Sequence, residues 1–137
     1  MDDTHSETGE NNLRRTCLVE GAIMNRYGGY ELVKITELVD YSYGPGFLWF
    51  LISGGKTGRK QVLGVSFRIT PSLEVYPVTQ GPFRAVDVYF KPGRSTFPVD
   101  ALSGSLTITK FEMGKGIEGV LSVTAERYVM AARFEVV

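Results

Sequence analysis

The chain has 137 residues, 43% of them hydrophobic and 12% aromatic, with fifteen basic side chains against fifteen acidic ones. That length suits one domain, which needs neither metal nor disulfide to bury about two-thirds of its unfolded surface. Zero net charge gives no reason to expect nucleic acid as a partner, no run of about eighteen apolar residues is present to cross a membrane as a helix, and a lone cysteine, Cys17, rules out an intramolecular disulfide.

Residues 1–12 carry Asp2, Asp3, Glu7 and Glu10 and no Lys or Arg. They offer almost nothing to bury, so a flexible acidic tail is predicted, with a single domain over residues 13–137. That domain then holds fifteen basic and eleven acidic residues, a mild excess of four positives favouring anionic surfaces. Met1 is followed by acidic and polar residues, unlike a signal peptide.

A first strand is predicted over Thr16–Met24, closed by the turn Asn25-Arg-Tyr-Gly-Gly29. Tyr30–Tyr41 partly fits a helical stripe, but its β-branched Val33, Ile35, Thr36 and Val39 favour strand. Ser42-Tyr-Gly-Pro-Gly46 breaks the chain before Phe47–Ile52, a continuous apolar run placed centrally in a sheet covered on both sides, or at a barrel wall. Leu63, Val65, Phe67 and Ile69 alternate with Val62, Gly64, Ser66 and Arg68, the period of a half-buried strand. Val86, Val88 and Phe90 alternate likewise, and Pro77 marks Leu73–Val78 as an edge or a bend. The last third, from Ser103, reads as two or three antiparallel strands, in which Leu106 and Ile108 share a face, as do Ile117, Gly119, Leu121, Val123 and Ala125. Eight to nine strands at this spacing predict an all-β fold, an antiparallel sandwich or a partly closed barrel. Its core is expected to include Trp49, Val65, Phe67, Ile108, Leu121 and Val123.

Little in the chain resembles catalytic machinery. The only histidine, His5, lies in the tail, which removes Ser-His-Asp and Cys-His arrangements and a zinc site. Gly55-Lys56-Thr57 matches the end of a phosphate-binding loop, but Phe50 stands where an earlier glycine belongs and a strand follows. A carboxylate pair stays open, although acidic residues on strand faces are most often simply solvated. Cys17, beside Leu18 and Val19, reads as structural.

Ser103-Gly-Ser-Leu-Thr-Ile-Thr-Lys-Phe-Glu112, Gly114-Lys-Gly-Ile-Glu-Gly-Val-Leu-Ser-Val-Thr-Ala125 and Arg133-Phe-Glu-Val136 resemble the end of small uncharacterised β-sandwich proteins. These occur as secreted or surface lipoproteins of Gram-negative gut and environmental bacteria. The chain departs from their pattern at Val120-Leu121, where Thr-Phe is common. The resemblance implies export, with lipid attachment upstream of Met1 and the acidic tail as tether. It brings no catalytic residues.

Seven of the sixteen aromatic residues fall between Tyr27 and Phe50. Tyr27, Tyr41 and Tyr43 border glycine-rich loops, where a flat ring with a polar tip suits recognition of a sugar or a protein, or else caps the ends of the sandwich. With the basic turn Lys56, Arg59 and Lys60 they form the predicted contact set. The expected function is a non-enzymatic extracytoplasmic binding or adhesion domain for a protein or glycan, without cofactor, metal or nucleic acid. The alternative is a structural module that assembles through strand edges.

Overall fold

A computed structural model of the chain describes residues 5–7 and 15–137. Among the described residues there are twelve strands and no helix: β1 (His5–Glu7), β2 (Cys17–Asn25), β3 (Tyr30–Ile35), β4 (Glu37–Gly44), β5 (Phe47–Gly54), β6 (Gln61–Phe67), β7 (Val75–Val78), β8 (Val86–Lys91), β9 (Val99–Asp100), β10 (Ser103–Glu112), β11 (Gly116–Thr124) and β12 (Tyr128–Val136). One sheet runs β1-β4-β5-β6-β8-β9 and the other β3-β2-β12-β11-β10-β7, every neighbour antiparallel. Neither sheet closes on itself. The fold is the antiparallel sandwich.

The strand count exceeds the expected eight to nine for local reasons. The segment 30–41 bends at Thr36 into two strands that join the two sheets. β9 is only two residues long. The third addition is β1, where His5, Ser6 and Glu7 pair with Tyr43, Ser42 and Tyr41. Backbone pairing along the edge of β4 accounts for a strand in a stretch whose sequence carries no apolar alternation. The rest of the predicted acidic tail lies outside the described residues.

The inner faces follow the period of two. In the first sheet, Leu48, Phe50 and Ile52 meet Leu63, Val65 and Phe67, then Val86, Val88 and Phe90, all buried. The second sheet answers with Val19, Ile23, Leu106, Ile108, Ile117, Leu121, Val123, Met130, Phe134 and Val136. Phe50 and Phe134 bring the sheets together with ring centroids 5.3 Å apart, and Phe67 meets Tyr76 edge-on at 5.3 Å. Phe134 stands opposite Gly119 and its ring occupies the space that a Cβ there would need, 2.7 Å from an ideal one. An aromatic ring folded over a cross-strand glycine fills a gap in the pleat. The Tyr89 ring does the same over Gly64 on the outer face of the first sheet.

Trp49 is a correction. It was expected in the core, but it alternates with Leu48 and Phe50, stands between Ser42 and Ser66, and is only half-buried on the outer face. A continuous apolar run carries no phase, so composition alone does not say which of its residues face inward. The expected central position of β5 does hold, since β4 and β6 flank it.

Candidate ligand-binding end of the sandwich

Strand direction sorts the connections between two ends. β5 is eight residues long, or roughly 24 Å at the usual rise. The β4–β5 turn lies at its start and the β5–β6 hairpin at its finish. Tyr41 and Tyr43 therefore belong to one end and Lys56, Arg59 and Lys60 to the other.

The structure buries Tyr41 and Tyr43, which corrects the expectation that they present their rings at a loop. Tyr41 is 0% exposed and Tyr43 is buried as well. The cause is a bulge. Leu38 pairs with Ile52 but Asp40 pairs with Leu51, so Val39 is an extra residue in β4. One inserted residue exchanges the faces of everything after it, and Tyr41 and Tyr43 turn inward opposite Phe50 and Leu48. Their rings pack 5.4 Å apart. Arg15 covers them: its guanidinium lies 4.6 Å from the Tyr41 ring centroid and donates to the carbonyls of Gly114 (2.9 Å) and Lys115 (3.2 Å) in the β10–β11 turn.

The other four predicted residues share the opposite end. Arg26 N–H donates to the Arg127 carbonyl at 2.8 Å, joining the β2–β3 loop to the β11–β12 loop. The Arg127 guanidinium lies 5.6 Å from the centroid of the Tyr27 ring, which is 81% exposed. Gly93 packs on the Arg59 carbonyl so closely that an ideal Cβ would lie 2.8 Å from it, and Lys91 Nζ donates to the Lys60 carbonyl at 2.8 Å. Glu31 ties the arrangement together. Its Oε1 accepts from Gly93 N–H (2.6 Å) and from the Gln61 amide (3.0 Å), and Gln61 also donates to the Leu32 carbonyl at 2.9 Å. The glycine at 93 is what lets the β8–β9 loop approach the hairpin.

Charge separates the two ends. Loops 26–29, 55–60, 92–98 and 125–127 carry six basic residues (Arg26, Lys56, Arg59, Lys60, Arg94, Arg127) and one acidic residue, Glu126. Among the described residues, Lys60 alone of the six makes an ion pair, with Glu37 at 3.4 Å. Basic residues elsewhere in the loops are matched: Arg68 and Arg84 both bind Asp87, and Lys115 binds Glu112. Two further exposed rings, Tyr30 at 71% and Phe97 at 74%, stand on or beside the cationic loops. Arg94, Arg127, Tyr30 and Phe97 were not in the predicted set. The turn Lys91-Pro-Gly-Arg94 was the available signal for the first of them.

The Asp87 pairing has a pH signature. Partial burial alone would raise the carboxyl, but hydrogen bonds from Arg84 and Arg68 and their charges outweigh it and hold it below the ordinary value. A depressed carboxylate contributes stability above its unfolded pKa and loses it as pH falls through the folded value. Asp87→Asn is therefore expected to flatten the acid limb of a plot of melting temperature against pH, below about pH 4, and to leave its shape at neutral pH unchanged. An unchanged acid limb would show that the pair contributes nothing.

Cys17 is buried, and burial first, then the Glu37 charge, push its thiol up to about 11. It stays protonated at neutral pH and is a poor nucleophile. Among the described residues no group of three or more His, Cys, Asp or Glu is placed to hold a metal ion, and no helix is long and apolar enough to cross a membrane. Comparison with family models, curated proteins and solved structures finds no match to this chain.

Proposed function

We propose that the chain is a non-enzymatic extracytoplasmic binding domain that engages a protein or glycan through the loop end carrying Tyr27, Lys56, Arg59 and Lys60. The observation that carries this reading is the gathering of six basic side chains, five without an ion pair among the described residues, beside exposed aromatic rings at one end. Arg and Tyr dominate binding hot spots, and loops rich in Tyr, Gly, Ser and Asn combine rigid contact area with adaptable hydrogen bonding. The Glu31 tie fixes the loops before any ligand arrives, which lowers the ordering cost of binding. The extracytoplasmic assignment, and a lipid tether preceding the acidic tail, rest on the resemblance of the C-terminal strands.

Assembly through strand edges has less support. The β3 edge carbonyl of Leu32 is taken by Gln61, and the β7 edge carries Pro77, which has no N–H to offer a new strand.

The test is a glycan-array and pull-down screen of the wild type, Tyr27→Ala, the Lys56→Ala/Arg59→Ala double and a Lys110→Ala control from the other end. Ligands kept by the control are expected to weaken by about tenfold or more in each loop variant, a typical hot-spot loss. A ligand held equally by all four proteins would remove this end as the site.

A further inference from the structure

A shallow groove of about 80 Å³ runs between the β2–β3 hairpin and the β8–β9 loop, lined among others by Asn25, Tyr30, Glu31, Pro92, Arg94 and Tyr128. Its groups are of four kinds. Arg94 brings a permanent positive charge and has no ion-pair partner among the described residues. Glu31 spends Oε1 on Gly93 and Gln61, and its second carboxylate oxygen has no protein donor among the described residues. Asn25 spends its side-chain oxygen on Tyr27 N–H at 2.9 Å, which fixes the amide and turns its NH₂ away as a donor. The Tyr30 and Tyr128 rings with Pro92 supply flat apolar surface.

A cation, a carboxylate acceptor, an amide donor and flat rings within one small volume select a ligand that is anionic at one point, rich in hydroxyls elsewhere and flat on one face. We propose that this groove is a subsite for an acidic saccharide unit, a uronate or a sulfated sugar. Arg94 takes the anionic group, the free oxygen of Glu31 accepts a sugar hydroxyl, and a ring face lies on Tyr30 or Tyr128. The flat Tyr30 and Tyr128 rings separate this ligand from an acidic peptide, which has no ring face to lay on them. A nucleic acid needs several spaced cations along its phosphates, whereas the groove lining brings one, Arg94. This proposal rests on the loop-end reading and deepens it from glycan in general to an acidic one.

The test is calorimetric titration of the intact chain with five probes: an oligogalacturonate, a sulfated glycosaminoglycan oligosaccharide, a neutral oligosaccharide of equal length, a single-stranded oligonucleotide and poly-glutamate. Each is repeated with Arg94→Gln, the Lys56→Ala/Arg59→Ala double and Lys110→Gln. One acidic saccharide is expected to bind at least about tenfold tighter than the neutral sugar, the oligonucleotide and poly-glutamate, with uronate and sulfate told apart by which of the two it is. Arg94→Gln should weaken it by about tenfold or more, as loss of a charge-assisted contact does, and Lys110→Gln should not change it. No saccharide binding by the wild type overturns the proposal, as does tighter binding of poly-glutamate or the oligonucleotide. Saccharide binding that survives Arg94→Gln but fails in the Lys56→Ala/Arg59→Ala double overturns the groove and keeps the loop end. Binding that survives both overturns the loop-end reading as well.

Discussion

Truncating Phe134 to alanine is expected to destabilise the protein by about 3–5 kcal/mol, the range for large buried aromatic side chains. Phe134 is buried, packs on Phe50 of the facing sheet at 5.3 Å, and fills the space above Gly119. Its loss opens a cavity on both sides at once, against Phe50 and above Gly119. A chemical melt checks this, read as a shift in midpoint at constant slope so that the change belongs to stability. Phe83, 97% exposed, is the control, and its replacement by alanine should stay within about half a kcal/mol. A Phe134→Ala protein as stable as that control would show that the two sheets do not meet at this ring.

The second large effect is steric. Gly119→Val is expected to cost about 1–3 kcal/mol or more, as overpacking of a filled core does. An ideal Cβ at this position would lie 2.7 Å from the Phe134 ring and would overlap the Thr107 carbonyl oxygen of the neighbouring strand. The ring has some freedom to swing, but the carbonyl is backbone and does not yield without moving β10. Combining Gly119→Val with Phe134→Ala separates the two obstacles. If the ring is the main one, the double variant is less unstable than the sum of the singles. Simple addition would place the cost in the β10 backbone. Gly119→Val with wild-type stability would contradict the close approach altogether.

Much of the architecture is legible in the sequence, because period-two alternation survives wherever one face is polar. Leu63, Val65 and Phe67, Val86–Phe90 and Ile117–Ala125 turn the predicted side inward, but Ile69, expected to join the first set, lies past the end of β6 and is exposed. Alternation fails where the chain gives no phase or changes it. Phe47–Ile52 is apolar at every position, so the outward turn of Trp49 depends on register with Ser42 and Ser66. Val39 is a bulge without glycine or proline to announce it, and its one-residue shift buries Tyr41 and Tyr43. β1 is built from polar residues, and its backbone pairs with the edge of β4.

The candidate site was half legible for a related reason. Lys56, Arg59 and Lys60 stand out because they crowd one glycine-rich turn. Arg127 meets Tyr27 across a hundred residues of chain, and only the strand order β3-β2-β12 brings their loops together. Arg94 reaches the same end through the β8–β9 connection, tied to β3 by Glu31. Long-range convergence of this kind has no local signature. The rings beside glycine-rich segments were a guide only where the strand phase left them in solvent, as it does for Tyr27.

The most direct test of the loop-end assignment is amide chemical-shift mapping by NMR during titration with the tightest ligand from the array or calorimetric screen. The account predicts that the perturbed amides cluster in residues 25–30, 55–61, 92–98 and 125–128, while the β10–β11 turn at 113–115 and the strands around Tyr41 and Tyr43 stay unchanged. Perturbations centred on the β10–β11 turn, or spread over the outer face of either sheet, would contradict it.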